Sequence, residues 1–243
     1  MPGDSDRVPK IAQLWDSSKE VSMHREYRVW SGLLGNEKVS ACSTGIGGPA
    51  TAIAFEELAA IGADTFIRVG SCGAIQREIK LGDLVIASGA VRLDGTSKQY
   101  VCPEYPAAPS YDVTLALIEA TERLGYRYHV GYTASSDSFY VGQGRPGLRN
   151  YLPKDSVGLV DSLSSANVLS FEMEASTIFT LAGIYGLRSG CICAVYANRI
   201  TDEFKIAGED EACRAAVEAV KILSRWDQER EHKRKRYWHP SLS

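Results

Sequence analysis

The chain has 243 residues, 44% apolar and 23% charged, with a formal net charge of −3. That length and balance fit one large α/β domain or two small ones with ample core, and give no electrostatic reason for a nucleic-acid partner. No apolar run reaches membrane-spanning length and no signal-like pattern opens the sequence, so no membrane partner is expected.

The six cysteines (Cys42, Cys72, Cys102, Cys191, Cys193 and Cys213) show neither a disulfide framework nor a zinc spacing, and the four histidines form no ligand pattern. The expectation is a reducing cytoplasmic location and no metal site.

In chain order, Pro2-Gly3-Asp4-Ser5-Asp6-Arg7 reads as a turn capping a helix from Val8 to about Leu14. Such a turn normally follows a strand, and none precedes it in this sequence. Arg25 and Glu26 lead into a strand over Tyr27–Leu33, with Gly35-Asn36-Glu37 as a hairpin signal and Lys38–Ser43 as the return strand.

Thr44-Gly45-Ile46-Gly47-Gly48-Pro49-Ala50 then opens a helix to about Ile61. The stretch formally matches the G-x-G-x-x-A dinucleotide fingerprint, which also wants an acidic residue at the far end of the next strand. Asp64 stands at the near end and Gly70-Ser71 at the far one, so a nicotinamide enzyme is set aside. What remains is a set of backbone N–H groups before a helix N-terminus, free for an anion.

Thr65–Val69 reads as a buried strand that closes on Gly70-Ser71-Cys72-Gly73. Arg68 is its odd member: a guanidinium there needs an anion or a carboxylate, and these residues leave open which it meets. Ligands of open α/β sheets collect at the carboxyl ends of strands, where Arg68 and Ser71 would lie.

A strand over Leu84–Arg92, a loop to about Ser110, an amphipathic helix Tyr111–Leu124 and a strand Tyr128–Thr133 follow. Phe139-Tyr140-Val141-Gly142-Gln143-Gly144-Arg145 mixes aromatics with amide and guanidinium donors, which suits a flat polar heterocycle; an ordinary exposed loop is the simpler reading of this piece alone. Val168–Phe171 is a strand running into Glu172-Met173-Glu174 and a helix Ala175–Tyr185. There the two carboxylates would by default favour the helix N-terminus, and Met173 would be core.

Arg188–Asn198 is a long apolar strand ending in Asn198-Arg199, and the last helix starts near Glu209. Alternating strands and helices without repeats or linkers imply a single α/β domain over residues 1–230, a central mixed sheet flanked by helices, and a basic flexible tail over 231–243.

Taken in order, several of these pieces resemble the nucleoside phosphorylases, in the branch that includes uridine phosphorylase. They are Pro2–Val8, His24-Arg25-Glu26, Cys42–Pro49, Arg68–Gln76, Val91–Gly95, Thr133–Tyr140, Gln143-Gly144-Arg145, Phe171–Ala175 and Asn198-Arg199. The resemblance covers the chain to about Leu223. It implies reversible phosphorolysis of uridine to uracil and ribose 1-phosphate, with phosphate as co-substrate and no cofactor.

By that similarity Gly3, Arg7, Arg68 and Ser71 cradle phosphate, and Arg25 reaches in from a neighbouring subunit of a homodimer, itself open to further assembly into a hexamer. Met173 and Glu174 hold the ribose hydroxyls, with Glu172 beside them; Gln143 and Arg145 meet the uracil edge; Phe139 packs on the base and Arg199 lies behind it. Arg68, Gln143, Arg145, Glu174 and Arg199 carry the catalytic expectation. Purine-cleaving relatives place an aspartate where Asn198 stands, so pyrimidine is favoured and a purine nucleoside phosphorylase is the alternative.

Three departures from the family pattern stand out. The strand expected before Pro2 is not in the sequence; an uncovered neighbouring strand and a Gly3–Arg7 segment tethered from one side lead to an expectation of low stability and weak activity for the chain as written, as in a truncated nucleoside-binding relative. Relatives can hold a monovalent cation at the dimer interface through a glutamate, a carbonyl and a serine; Glu26 and Ile46 are present, but Ala50 replaces the serine, which weakens that expectation. Tyr196-Ala197 differs from the apolar pair expected beside the base pocket. A cysteine hydrolase built on Cys72 is the remaining alternative, against which stand the missing nucleophile-elbow spacing and the lack of a paired histidine.

Overall fold

The computed structural model describes residues 1–242. Helix α1 (Arg7–Ala12) leads into an antiparallel three-stranded sheet of β1 (Ser17–His24), β2 (Tyr27–Leu34) and β3 (Glu37–Cys42). Sequence reading misses β1. Its residues, Ser-Ser-Lys-Glu-Val-Ser-Met-His, are almost all exposed, so no buried face marks it and only backbone pairing with β2 makes it a strand.

Helix α2 (Gly48–Ala60) precedes β4 (Thr65–Ala74), and β5 (Leu84–Arg92) follows. The short α3 (Thr96–Tyr100) lies within the expected loop, before α4 (Tyr111–Leu124) and β6 (Tyr128–Ser135). Helix α5 (Leu159–Ser165), β7 (Val168–Glu172), α6 (Ala175–Tyr185), β8 (Arg188–Asn198), the two-residue β9 (Glu203–Phe204) and α7 (Glu209–His232) complete the order.

The large sheet is mixed, in the order β4-β7-β6-β5-β8-β9, and it closes on itself because β4 also pairs with β8. The β4–β8 ladder is parallel and long, from Thr65↔Arg188 to Ala74↔Asn198. That ladder keeps β4 extended through Gly70–Gly73, where the sequence suggests the strand ends. Glycine at position 70 has a local cause: a Cβ there would lie 2.6 Å from Arg68 Nη2.

Helices α1, α4 and α7 cover one side of this closed sheet through Val8, Leu117, Ile222 and Trp226, packed against Leu84, Ile86 and Ile192. Helices α2 and α6 cover another side, with Phe55 stacked on Phe66 of β4 at 4.0 Å between ring centroids. Both clusters hold apolar residues from several strands, which is what one continuous α/β domain requires.

At the start of the chain, the Met1 amine donates to Ile67 O at 2.6 Å and Val69 N–H donates to Met1 O at 3.2 Å, so Met1 pairs along one edge of β4. Past His232, Trp238 folds back and stacks on Trp226, with centroids 3.7 Å apart, and its carbonyl accepts the Tyr111 hydroxyl. The segment expected as a loose tail therefore contains an anchored residue, while Lys233–Arg236 stay exposed.

Candidate active site

The carboxyl ends of β4, β7 and β8 converge on a cavity of about 1000 Å³. Strand β4 brings Arg68 and Ser71, the β7–α6 junction brings Glu172, Met173 and Glu174, and the end of β8 brings Arg199. Gly3 and Arg7 close one end, while Phe139, Gln143 and Arg145 from the loop after β6 close the other.

Arg68 is only 4% exposed and is bound on two sides. Its Nε donates to Glu172 Oε2 at 2.7 Å and its Nη2 lies 2.5 Å from Glu174 Oε2. Burial disfavours its charge, but Glu174 and Glu172 outweigh that and raise its pKa well above the ordinary value. The sequence leaves open a carboxylate or a ligand for Arg68; here two carboxylates hold it at the wall of a cavity.

Glu172 accepts from four donors: Arg68 Nε, the Glu174 and Ala175 N–H groups at 2.8 Å, and the Ser135 hydroxyl. Burial pushes its carboxyl up to about 7, with Arg68 pulling the other way. Glu174 reaches across to the glycine turn before α2, where Oε1 accepts the Gly47 N–H at 2.6 Å. Gly47 has a φ of 93°, a region that costs an L-residue strain, so glycine aims this N–H at no penalty. The anion that meets that Gly47 N–H is thus a carboxylate of the same chain.

At the Arg7 end, Arg7 Nη1 donates to Val69 O at 3.1 Å and Nη2 meets Glu209 Oε2 at 2.8 Å and the Tyr196 hydroxyl at 3.3 Å. Its Nε is buried with no protein partner. At the Phe139 end the Arg145 guanidinium lies 4.2 Å from the Phe139 ring centroid, and Arg199 lies over Phe171 at 5.9 Å. Arg199 Nη1 donates to the backbone carbonyl of Gln143 at 2.8 Å. Burial and then the neighbouring Arg145 lower the Arg199 pKa to about 10, the mark of two cations facing one space.

Arg25 is the one expected site residue outside the cavity. It sits exposed in the two-residue turn between β1 and β2, with a left-handed φ of 54°. Ala50 has no side-chain oxygen for a cation, and its carbonyl accepts the Tyr27 hydroxyl at 3.0 Å.

Two expectations change with the structure in view. Asn198 reaches the cavity wall, but its polar atoms are already used. Its amide nitrogen donates to Gln76 O at 2.9 Å and Ile79 O at 2.8 Å, and its oxygen accepts from Ile200 and Thr201 N–H. Its neutrality is therefore required by a backbone turn and is not a direct contact reserved for a base.

Tyr196 is the second. Its hydroxyl joins Arg7 and Glu209, at the Arg7 end. Cys72 is buried, and a hydrogen bond with Cys193 together with burial raises its thiol well above the usual range, the reverse of an activated nucleophile.

Sequence reasoning misses Glu209 and the residues at the cavity mouth, Asp202, Glu203 and Phe204. The signal for Glu209 is its acidic position at the start of the last helix, which by itself reads as ordinary helix electrostatics.

A model of the phosphorylase superfamily matches residues 1–225. The chain belongs to that superfamily. It is 64% identical over 242 residues to a uridine phosphorylase of Thermococcus kodakarensis, covering 100% of this chain and 87% of that protein. It is also 41% identical over 229 residues to the uridine phosphorylase of Escherichia coli, covering 92% and 90% of the two chains. A guanosine phosphorylase of Halorubrum lacusprofundi is 42% identical over 211 residues, covering 87% and 82%.

Membership of the phosphorylase superfamily agrees with the single α/β domain and its mixed sheet. Among the described residues no helix is long and apolar enough to cross a membrane.

Proposed function

We propose that the protein catalyses the reversible phosphorolysis of uridine to uracil and ribose 1-phosphate. The observation that carries the reading is one cavity with arginines at both ends, buried glutamates between them and an aromatic–amide loop at one end, in a chain that belongs to the phosphorylase superfamily.

In this reading phosphate binds between Gly3, Arg7, Arg68 and Ser71, and the ribose hydroxyls meet Met173 and Glu174, with Glu172 holding Arg68 in place. Uracil lies against Phe139 with Gln143 and Arg145 at its edge and Arg199 behind. A phosphate oxygen forms the new bond to C1′ as the C1′–N1 bond breaks. The electron pair leaves with uracil, whose oxygens take up the charge. Arg145, and Arg199 held by the Gln143 carbonyl, stabilise that charge, while Arg7 and Arg68, fixed by buried partners, position the phosphate, so the contribution is electrostatic and positional. Phosphate is co-substrate and no cofactor enters.

The protein acts as a homodimer at least, in the cytoplasm, with Arg25 completing the phosphate site of its neighbour. What supports the shared site is the exposed position of Arg25 outside its own chain's cavity.

The test is phosphate-dependent release of free base from uridine, inosine and guanosine in parallel. Uracil release that saturates with phosphate, with slow purine release, is the expected result. Faster purine release makes the protein a purine nucleoside phosphorylase, and uridine binding without turnover makes it a non-catalytic relative.

A further inference from the structure

We propose that Glu209, with Tyr196, is the positioning residue for Arg7, setting the edge of the guanidinium that faces the phosphate site. The inference rests on the phosphorolysis reading, in which Arg7 contacts phosphate, and adds a residue to which that reading gives no part.

Arg7 is the first residue of α1 and is 5% exposed, so its charge must be met within the protein. Its two terminal nitrogens are both taken by protein groups: Nη1 by Val69 O, Nη2 by Glu209 and Tyr196. The Tyr196 hydroxyl in turn donates to the same Glu209 oxygen at 2.5 Å, so hydroxyl, carboxylate and guanidinium form a closed set of contacts. Lys10 Nζ holds the other Glu209 oxygen at 2.5 Å. With both ends of the fork fixed, the planar guanidinium cannot rotate. Its Nε, buried and without a protein partner, belongs to a side chain that lines the cavity.

Glu209 comes from far along the chain, at the first position of α7 after a left-handed Gly208. An ordinary role at a helix N-terminus needs no such contacts, because a solvated carboxylate serves the dipole equally well. Here the carboxylate collects three donors, and it is Arg7, a cavity residue, whose orientation depends on it. Burial alone would raise the Glu209 carboxyl; hydrogen bonds from Lys10, Tyr196 and Arg7 outweigh it and hold it at about 2, so it stays charged at every working pH.

A positioning residue of this kind acts on one substrate. Glu209→Gln is expected to raise the KM for phosphate by about tenfold, the size of one charge-assisted hydrogen bond. The KM for uridine should stay within about twofold, and kcat should recover at saturating phosphate. Tyr196→Phe, which keeps the carboxylate, should raise the phosphate KM by a smaller factor with the same uridine KM. Thermal melts of both variants separate misfolding from misplacement, and Tyr196→Phe serves if Glu209→Gln does not fold.

An unaltered chain that releases uracil without phosphate dependence overturns the functional reading. A phosphate-dependent chain in which both variants keep the parental phosphate KM, or lose uridine and phosphate affinity equally, overturns the role of Glu209 alone.

Discussion

Arg68 Nη2 lies 2.5 Å from one oxygen of Glu174, while the other oxygen accepts the Gly47 N–H at 2.6 Å. One carboxylate thus ties the cation of β4 to the glycine turn before α2, across the cavity wall. Removing it leaves Arg68 with Glu172 alone and the Gly47 N–H without its acceptor, at a cost of roughly 1–3 kcal/mol. Glu174→Ala should therefore lower the unfolding free energy by about that amount and abolish turnover, as read by urea denaturation and by uracil release. A variant of parental stability would mean that water or a bound anion replaces the carboxylate.

Arg145 has no carboxylate partner among the described ion pairs; it lies over Phe139, and its pKa is lowered by burial. Its removal should cost little stability and act on base recognition. Arg145→Ala is expected to cut uridine kcat/KM by about 5- to 150-fold, the equivalent of roughly 1–3 kcal/mol. Phosphate affinity should be nearly unchanged. Equal losses for both substrates would place Arg145 in the general architecture of the cavity.

Asn198→Asp is the substitution that family comparison suggests for admitting purines. The contacts of Asn198 predict another outcome. An aspartate keeps the acceptor for Ile200 and Thr201 N–H but turns a second oxygen toward the Gln76 and Ile79 carbonyls, which lose their donor. The variant should lose roughly 1–3 kcal/mol of stability and show no gain in inosine cleavage. Inosine turnover at parental stability would return Asn198 to a direct role in base choice.

Shared sites can be tested by mixing subunits. An Arg25→Ala chain and an Arg145→Ala chain are each expected to have reduced activity. Co-refolded, they should recover activity, because hybrid dimers contain one site with both arginines intact. If subunit exchange is demonstrated by mass and activity stays low, Arg25 serves its own chain.

The pH dependence of stability carries a signature of Glu209. Its pKa is about 2 in the folded protein against an ordinary 4.5, so the unfolded chain takes up its proton first as pH falls. The stabilisation is complete above the unfolded value, is lost progressively between about 4.5 and 2, and is gone below. Glu209→Gln should be less stable than the parent at pH 7, and the gap should narrow toward pH 3. A gap independent of pH would separate its stability role from its charge.

Much of the fold is legible because burial writes a periodic pattern into the sequence. β5, α4, α6 and β8 lie at the bounds read from the residues: Leu84–Arg92, Tyr111–Leu124, Ala175–Tyr185 and Arg188–Asn198. Each has a continuous apolar run or a helical stripe, and the ordered motifs from Arg68 to Arg199 bring the site residues into view. The sequence by itself determines which side chains can carry charge, hydrogen bonds and aromatic faces. What the tertiary structure decides is where their partners are.

β1 is polar and exposed, so only its ladder with β2 makes it a strand, and β4 runs through its glycines because β8 lies beside it. Arg68 finds Glu172 and Glu174 more than a hundred positions away, and Arg7 finds Glu209 at a separation of 202. Asn198, at the cavity wall, spends its amide nitrogen on the Gln76 and Ile79 carbonyls past the end of β4. Hydrogen bonds and ion pairs have a range of a few ångströms and no preferred separation along the chain, so their choice of partner becomes fixed only when the sheet closes and α7 packs against it.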